Sequence, residues 1–320
     1  MAVKVGIIIP FFGKRPAYMD HFLAGCRFNT SIDWIIVTDI EQIEDVAENI
    51  HFIKSDLDSI NKLAYLKLGF PVKIRTPYKI CDFKPLYGLI FEDWLKKYDY
   101  WGYCDIDLIL GRIEQFLSPD KLWEYDIIST YKGFLSGPFC LYRNTEKLKK
   151  LFTYYPDYKS LLQNPNYLGF DENIQRKSIV GFSLRKIWYL FQFIVSSIFN
   201  ANSNPFTIRE FRYQFQWYVK RKTVNELYPS DFTEIVFSKY KKGKNKLYTE
   251  ELVLSDSYYK RMNRKTWRLQ WNNGILSDLD NTRQIFGFHF RESKNLPGFK
   301  VDNFTGEFFI TEKGIFNNKA

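Results

Sequence analysis

The chain has 320 residues, 45% apolar and 26% charged, enough to bury a large core and a composition that excludes a disordered or fibrous protein. A formal charge of +10 and a pI near 9.2 suit an anionic partner, and charge alone does not choose among nucleotide, anionic lipid and nucleic acid. Four scattered cysteines (Cys26, Cys81, Cys104 and Cys140) form no CxxC pair, which argues against structural zinc and for a reducing compartment. The aromatic share of 19% has two readings. Rings can stack on sugars or bases, or they rise together with Lys, Asn and Ile through AT-rich codon usage.

In chain order, "VKVGIIIPF" is a β-branched first strand ending at Pro10, too short and too poorly flanked for a signal peptide. "PAYMDHFLAGCRFN" has helical spacing, "IDWIIVTD" is a second strand stopping at Asp39, and "NIHFIKSD" is a third. A second helix is expected from Asp58 to Gly69, closed by the glycine. Asp82 then caps a predicted helix in which Pro85 fits the first turn and Leu86, Leu89, Ile90 and Leu95 form the apolar face. The strand "YDYWGYCDIDLILG" follows, and "YDIISTYKG" is another.

After residue 150 the pattern is weaker. "GFDENIQRKSIVGF" and the apolar run Ile187–Phe199 read as helices, and residues 248–277 alternate like hairpin strands around Asn273–Gly274. "IFGFHFRESK" reads as a strand running into a loop. The alternation of strands and helices predicts an α/β fold. Residues 1–150 are read as the first half of one domain, and 151–320 as further helices and a C-terminal elaboration of the same domain. No internal repeat or low-complexity linker interrupts it.

Asp105 and Asp107 interrupt an otherwise apolar run. In a strand, residues i and i+2 face one side, so both carboxylates can point at one spot. Two like charges that close repel, and a hard divalent cation such as magnesium or manganese resolves the conflict. The plain alternative is a solvated loop with two harmless aspartates.

The blocks "KICDFKPLYGLIF", "YDYWGYCDIDLILG", "GPFCLYRN" and "GFDE" together resemble a bacterial family of polysaccharide or lipopolysaccharide glycosyltransferases with the GT-A fold, over roughly residues 3 to 175. The resemblance implies a GT-A-like mixed sheet flanked by helices. It also implies a nucleoside-diphosphate sugar as donor (a UDP-sugar first), Mn2+ or Mg2+, and transfer to a hydroxyl of a glycan or lipid-linked acceptor. By the same resemblance His289 is the third metal ligand beside Asp105 and Asp107, and Lys294 contacts the diphosphate. Asp39, with Pro10 and Phe11, lines the base and ribose pocket; Asp82 and Lys84 hold the donor; Asp171 and then Glu172 are acceptor-side catalytic carboxylates.

Each residue keeps a structural alternative. His289 can be a strand histidine satisfied by backbone, Asp39 a turn former, Asp82 a helix cap, and Asp171–Glu172 a charged helix opening. The run Ile187–Phe199 follows Arg176, Lys177, Arg185 and Lys186. It is either a buried core helix or an amphipathic segment, 185–199, lying on an anionic membrane; it is too short to span one. The expected protein is thus a cytoplasmic, nucleotide-sugar-dependent glycosyltransferase that binds no nucleic acid. Two rivals remain: a sugar-nucleotide nucleotidyltransferase, for which "PFFGKRP" is a poor phosphate loop, and a non-catalytic basic nucleic-acid-binding protein, which leaves the two aspartates unexplained.

Overall fold

The structure is a computed structural model describing residues 3–41, 47–132, 135, 137–171, 232–241, 246–262, 266–280 and 282–317. Glu172 and the basic-flanked run 185–199 lie outside the described residues.

The strands in chain order begin with β1 (Val5–Phe11), β2 (Ile32–Thr38), β3 (Ile50–Lys54), β4 (Tyr100–Cys104), β5 (Leu108–Leu110), β6 (Ile127–Ser129), β7 (Phe139–Arg143), β8 (Leu247–Thr249) and β9 (Val253–Ser255). They continue with β10 (Arg268–Asn272), β11 (Ile275–Asp278), β12 (Arg283–Gln284), β13 (Gly287–His289), β14 (Lys300–Val301), β15 (Phe308–Thr311) and β16 (Gly314–Asn317).

A seven-stranded sheet has the order β3-β2-β1-β4-β7-β6-β8. β3, β2, β1 and β4 run parallel, whereas β7 is antiparallel to both β4 and β6. This is the mixed central sheet flanked by helices that the sequence leads one to expect. Side chains alternate between the two faces, as the strand period requires. Ile8, Ile35, Val37, Trp101 and Tyr103 enter one core cluster, while Ile7, Ile9, Trp34, Ile36 and Tyr100 enter the other.

Helix α1 (Met19–Arg27) contributes Met19, Phe22, Leu23 and Cys26 to the second cluster. Helix α2 (Leu57–Leu68) contributes Ile60 and Ala64 to the first. Its ends follow capping chemistry: the Asp56 side chain accepts from Ser59 N, and Gly69 closes the helix at φ 74°. β1 extends one residue beyond Pro10, but its pairing with β4 stops at Ile8–Tyr103, so the missing proline N–H removes no bond from that ladder.

Two stretches depart from the sequence reading. The helix expected after Asp82 is instead a 3-10 segment, Pro77–Leu86, with Asp82 and Pro85 inside it, followed by single helical turns at Tyr87–Ile90 and Glu92–Leu95. An interior proline removes a helical hydrogen bond and crowds the preceding turn, so no continuous α-helix forms there. Within 248–277, residues Asp256–Arg261 are helical rather than extended. The predicted hairpin is present beyond them: β10 and β11 are joined by Asn273 (φ 48°) and Gly274 (φ 80°), both positive as a type I′ turn requires.

β10, β11, β12, β14, β15 and β16 form a second sheet, and β5, β13 and β9 a third. The second sheet supplies Leu269, Trp271, Leu276, Phe308, Ile310 and Ile315 to a third cluster. His21 of α1 meets this layer with its ring edge-on to Phe308 (centroids 4.7 Å apart) and Phe304 (5.6 Å). Both ring nitrogens are buried with no hydrogen-bond partner.

Burial pushes the His21 pKa down to about 4; Asp20 and Asp302 pull upward but do not offset it. The unfolded chain titrates this group near the ordinary value of 6.5, so below that pH the unfolded state takes up a proton that the folded state refuses. Stability is therefore full above about 6.5 and declines as pH falls toward 4, by on the order of 3 kcal/mol. Urea unfolding measured across this range is expected to show the decline in the natural protein and a flattened profile in His21→Leu.

Candidate active site: a compensated carboxylate cluster

The two aspartates lie in the turn that carries the chain from β4 of the large sheet to β5 of the small one, not inside a strand. The turn brings them together where strand alternation had been expected to do so. It sits at the carboxyl end of β4, where ligands of open α/β sheets gather. Asp105 N donates to Pro138 O at 2.9 Å, which fixes the start of the turn against β7.

His289 reaches the turn from far along the chain through strand register. β13 runs antiparallel to β5 with Gly287 opposite Leu110, Phe288 opposite Ile109 and His289 opposite Leu108. One residue later Phe290 N donates to Asp107 O at 3.2 Å. A one-residue slip would turn His289 to the other face. Gly111 secures the approach: a Cβ there would stand 2.4 Å from Ile285 O, and its N–H donates to Phe286 O at 2.8 Å.

Asp105, Asp107 and His289 can each offer a ligand atom, with all three within 4.8 Å of one another. His289 Nε2 lies 3.2 Å from Asp107 Oδ2, and the Lys294 ammonium pairs with the same oxygen. Burial alone would raise the Asp107 pKa, but His289 and Lys294 outweigh it and hold the carboxyl well below the usual range. Burial would lower His289, and Asp107 followed by Asp105 reverses that into a rise. The Lys294 loop is held by Asp256, a buried carboxylate that accepts from Glu292 N (2.8 Å) and Ser293 N (2.7 Å).

On the other side Lys84, nearly fully buried, lies 2.7 Å from Asp105 Oδ1, 3.0 Å from Asp171 Oδ2 and donates to Gly137 O at 2.8 Å. Burial would depress its pKa, but Asp105 and then Asp171 dominate and hold it well above the ordinary lysine value. Asp171 also accepts from Tyr167 OH at 3.0 Å.

The structure therefore brings together Asp105, Asp107, His289, Lys294, Lys84 and Asp171. Lys84 is committed to neighbouring oxygens rather than held out for a donor. Asp82 differs from both of its sequence readings. It is fully buried and caps no helix of its own segment. Its carboxylate accepts from Lys79 Nζ, Leu168 N, Gly169 N and Phe170 N, all at 2.8 Å. A carboxylate with four donors and no exposed surface is a structural knot, with nothing left to offer a donor sugar. Asp39 stands just past β2, exposed, with Oδ1 accepting from Gly13 N at 2.8 Å, and Pro10 and Phe11 are half-buried beside it at the end of β1.

Three residues of the site were not legible in the sequence. Tyr18 lies close enough to the pair that, after burial, Asp107 and Asp105 are the next causes of its raised pKa. Tyr167 donates its hydroxyl to Asp171, and Asp256 accepts from backbone N–H groups more than thirty residues away. The only available cue for Tyr18 is its place before α1, at the carboxyl-end rim of the sheet.

Removing the knot is expected to cost far more than removing the rim carboxylate. Asp82→Ala leaves Lys79 buried without its ion pair and three N–H groups unmet, and should lower unfolding free energy by on the order of 3 kcal/mol or more. Asp39→Ala, at an exposed position, should stay within about 1 kcal/mol of the natural protein. Denaturant midpoints of the two variants check the contrast.

No curated protein matches the sequence. Among solved structures, the galactosyltransferase LgtC with donor and acceptor sugar analogues is 13% identical at a TM-score of 0.30, covering 49% of this chain and 65% of its own, just under two thirds. An active-site variant of LgtC is 12% identical at a TM-score of 0.35, with 90% of this chain and 87% of that one covered. Mouse xyloside xylosyltransferase 1 is 10% identical at a TM-score of 0.32, with 53% and 76% covered. A family model spans residues 7–316, nearly the whole chain, and the chain belongs to the family it describes, a family of unknown function designated DUF6625.

Proposed function

We propose that the protein is a metal-dependent glycosyltransferase. It would move a sugar from a nucleoside-diphosphate sugar, a UDP-sugar foremost, to a hydroxyl of a glycan or lipid-linked glycan in surface polysaccharide or lipopolysaccharide assembly. The observation that supports this best is the convergence of Asp105, Asp107 and His289, with ligand atoms within 4.8 Å, at the carboxyl end of a parallel strand.

Two carboxylates and one imidazole fit Mn2+, and the carboxylates alone fit Mg2+. A bound divalent ion would neutralise the charge developing on a departing nucleoside diphosphate. The chain's own groups divide the remaining work. Asp105, Asp107 and His289 hold the ion. Lys294, a compact ammonium paired with Asp107, would contact a diphosphate oxygen of the donor.

Asp39, Pro10 and Phe11, at the ends of β2 and β1, serve the base and ribose. Asp171 faces the acceptor. Its carboxylate is already engaged by Lys84 and Tyr167, so orientation of the incoming hydroxyl is the role its surroundings favour. The net positive charge suits an anionic donor and an anionic membrane surface bearing the acceptor. Among the described residues no helix is long and apolar enough to cross a membrane.

The experiment is nucleotide release from a panel of nucleoside-diphosphate sugars, with and without Mn2+, alongside Asp105→Asn and Asp107→Asn. Metal-dependent release of nucleoside diphosphate from one donor is expected, reduced by on the order of 100-fold or more in each variant. Release of pyrophosphate would point to nucleotidyl transfer instead. Calorimetry showing no binding of any nucleotide with any divalent metal would overturn the reading.

A further inference from the structure

An ammonium has three N–H donors, and Lys84 has an oxygen for each: Asp105 at 2.7 Å, Asp171 at 3.0 Å and the Gly137 carbonyl at 2.8 Å. Its 3-10 segment grips the chain before Asp171 a second time. Two turn positions earlier, Asp82 takes the consecutive N–H groups of Leu168, Gly169 and Phe170, with Lys79 completing its coordination. One short segment thus ties the Asp105 turn to residues 167–171 through buried charge, where interactions are strong and leaving a partner unmatched is costly. Asp107 is compensated separately, by His289 and Lys294, and is not among the oxygens around Lys84.

We infer that Lys84 is a positioning residue that locks Asp105 and Asp171 into one unit, so that what happens at Asp105 is felt at the 167–171 segment and the reverse. If Asp105 turns toward a cation, Lys84 shifts its charge toward Asp171. If Asp171 loses its charge, Lys84 is held more tightly by Asp105 and competes with the cation. Such coupling is reciprocal by linkage. The inference leans on the proposed function only in placing a cation on Asp105.

The first arm of the test therefore uses no metal. Amide hydrogen exchange of the peptide covering 167–171 is compared in the natural full chain, Asp105→Asn and Asp107→Asn. Asp105→Asn removes the competing charge, so Lys84 is drawn more tightly onto Asp171, and exchange of this peptide should slow by about tenfold. Asp107→Asn removes the same charge from the same turn and should stay within about twofold of the natural protein. Equal responses in the two variants, or none, would overturn the inference.

The second arm is Mn2+ binding by calorimetry. Asp171→Asn, which lies outside the ligand set, should weaken Mn2+ roughly fivefold. That loss should vanish when Lys84→Gln is also present, whereas a loss that persists would mean through-space charge and count against Lys84 as the link. If the Lys84 variant fails to fold, the exchange arm decides. If the natural protein binds no Mn2+, the cation reading falls and the exchange comparison still tests Lys84.

Discussion

A separate cation stands on each side of the Asp105–Asp107 pair, in a turn that is largely closed to solvent. Lys84 holds one and Lys294, with His289, holds the other. Without them the turn would carry two close like charges against a low-dielectric interior with no counter-charge. The compensation draws on residues near positions 84, 105, 171 and 290, so closing this turn requires most of the fold to be in place.

The fold meets that requirement through ordered pairing. β4 lies in the middle of the large sheet, with β1 parallel on one side and β7 antiparallel on the other, and its end is therefore rigid. The chain then leaves for a second, three-stranded sheet whose central strand, β13, carries the histidine. Asp256, at the start of the helix after β9, clamps the loop that bears Lys294. Late residues thus reach an early site by strand register rather than by a lid or linker. The C-terminal sheet rests on α1 around the unpartnered ring of His21, and α1 in turn lies against β5.

Much of this was legible from short-range signals. The β-branched strands, the helix closed by Gly69, and the Asn273–Gly274 turn all follow from rules acting over a few residues. Asp105 and Asp107 stood out because charge inside an apolar run needs a reason. Their convergence was expected from strand alternation, whereas a turn produces it. Asp82 shows the limit most plainly. Aspartate ahead of a proline reads as a helix cap or a ligand, yet its carboxylate faces three N–H groups more than eighty residues away. No local pattern encodes that distance. The helix at Asp256–Arg261 was hidden for a related reason, since six residues are too few to establish a period against neighbouring strands.

The sequence by itself determined the α/β alternation, the turn chemistry and the presence of two carboxylates that demand a cation. These are properties of neighbouring residues, and neighbouring residues fix backbone preference and local charge. Only the tertiary structure decided which cations answer them: Lys84 locked between Asp105 and Asp171, His289 set opposite Leu108 by register, and Asp82 withdrawn from the site into a buried knot. Those choices depend on hydrogen-bond register and desolvation between segments far apart in the chain, and both come into being only when the segments pack.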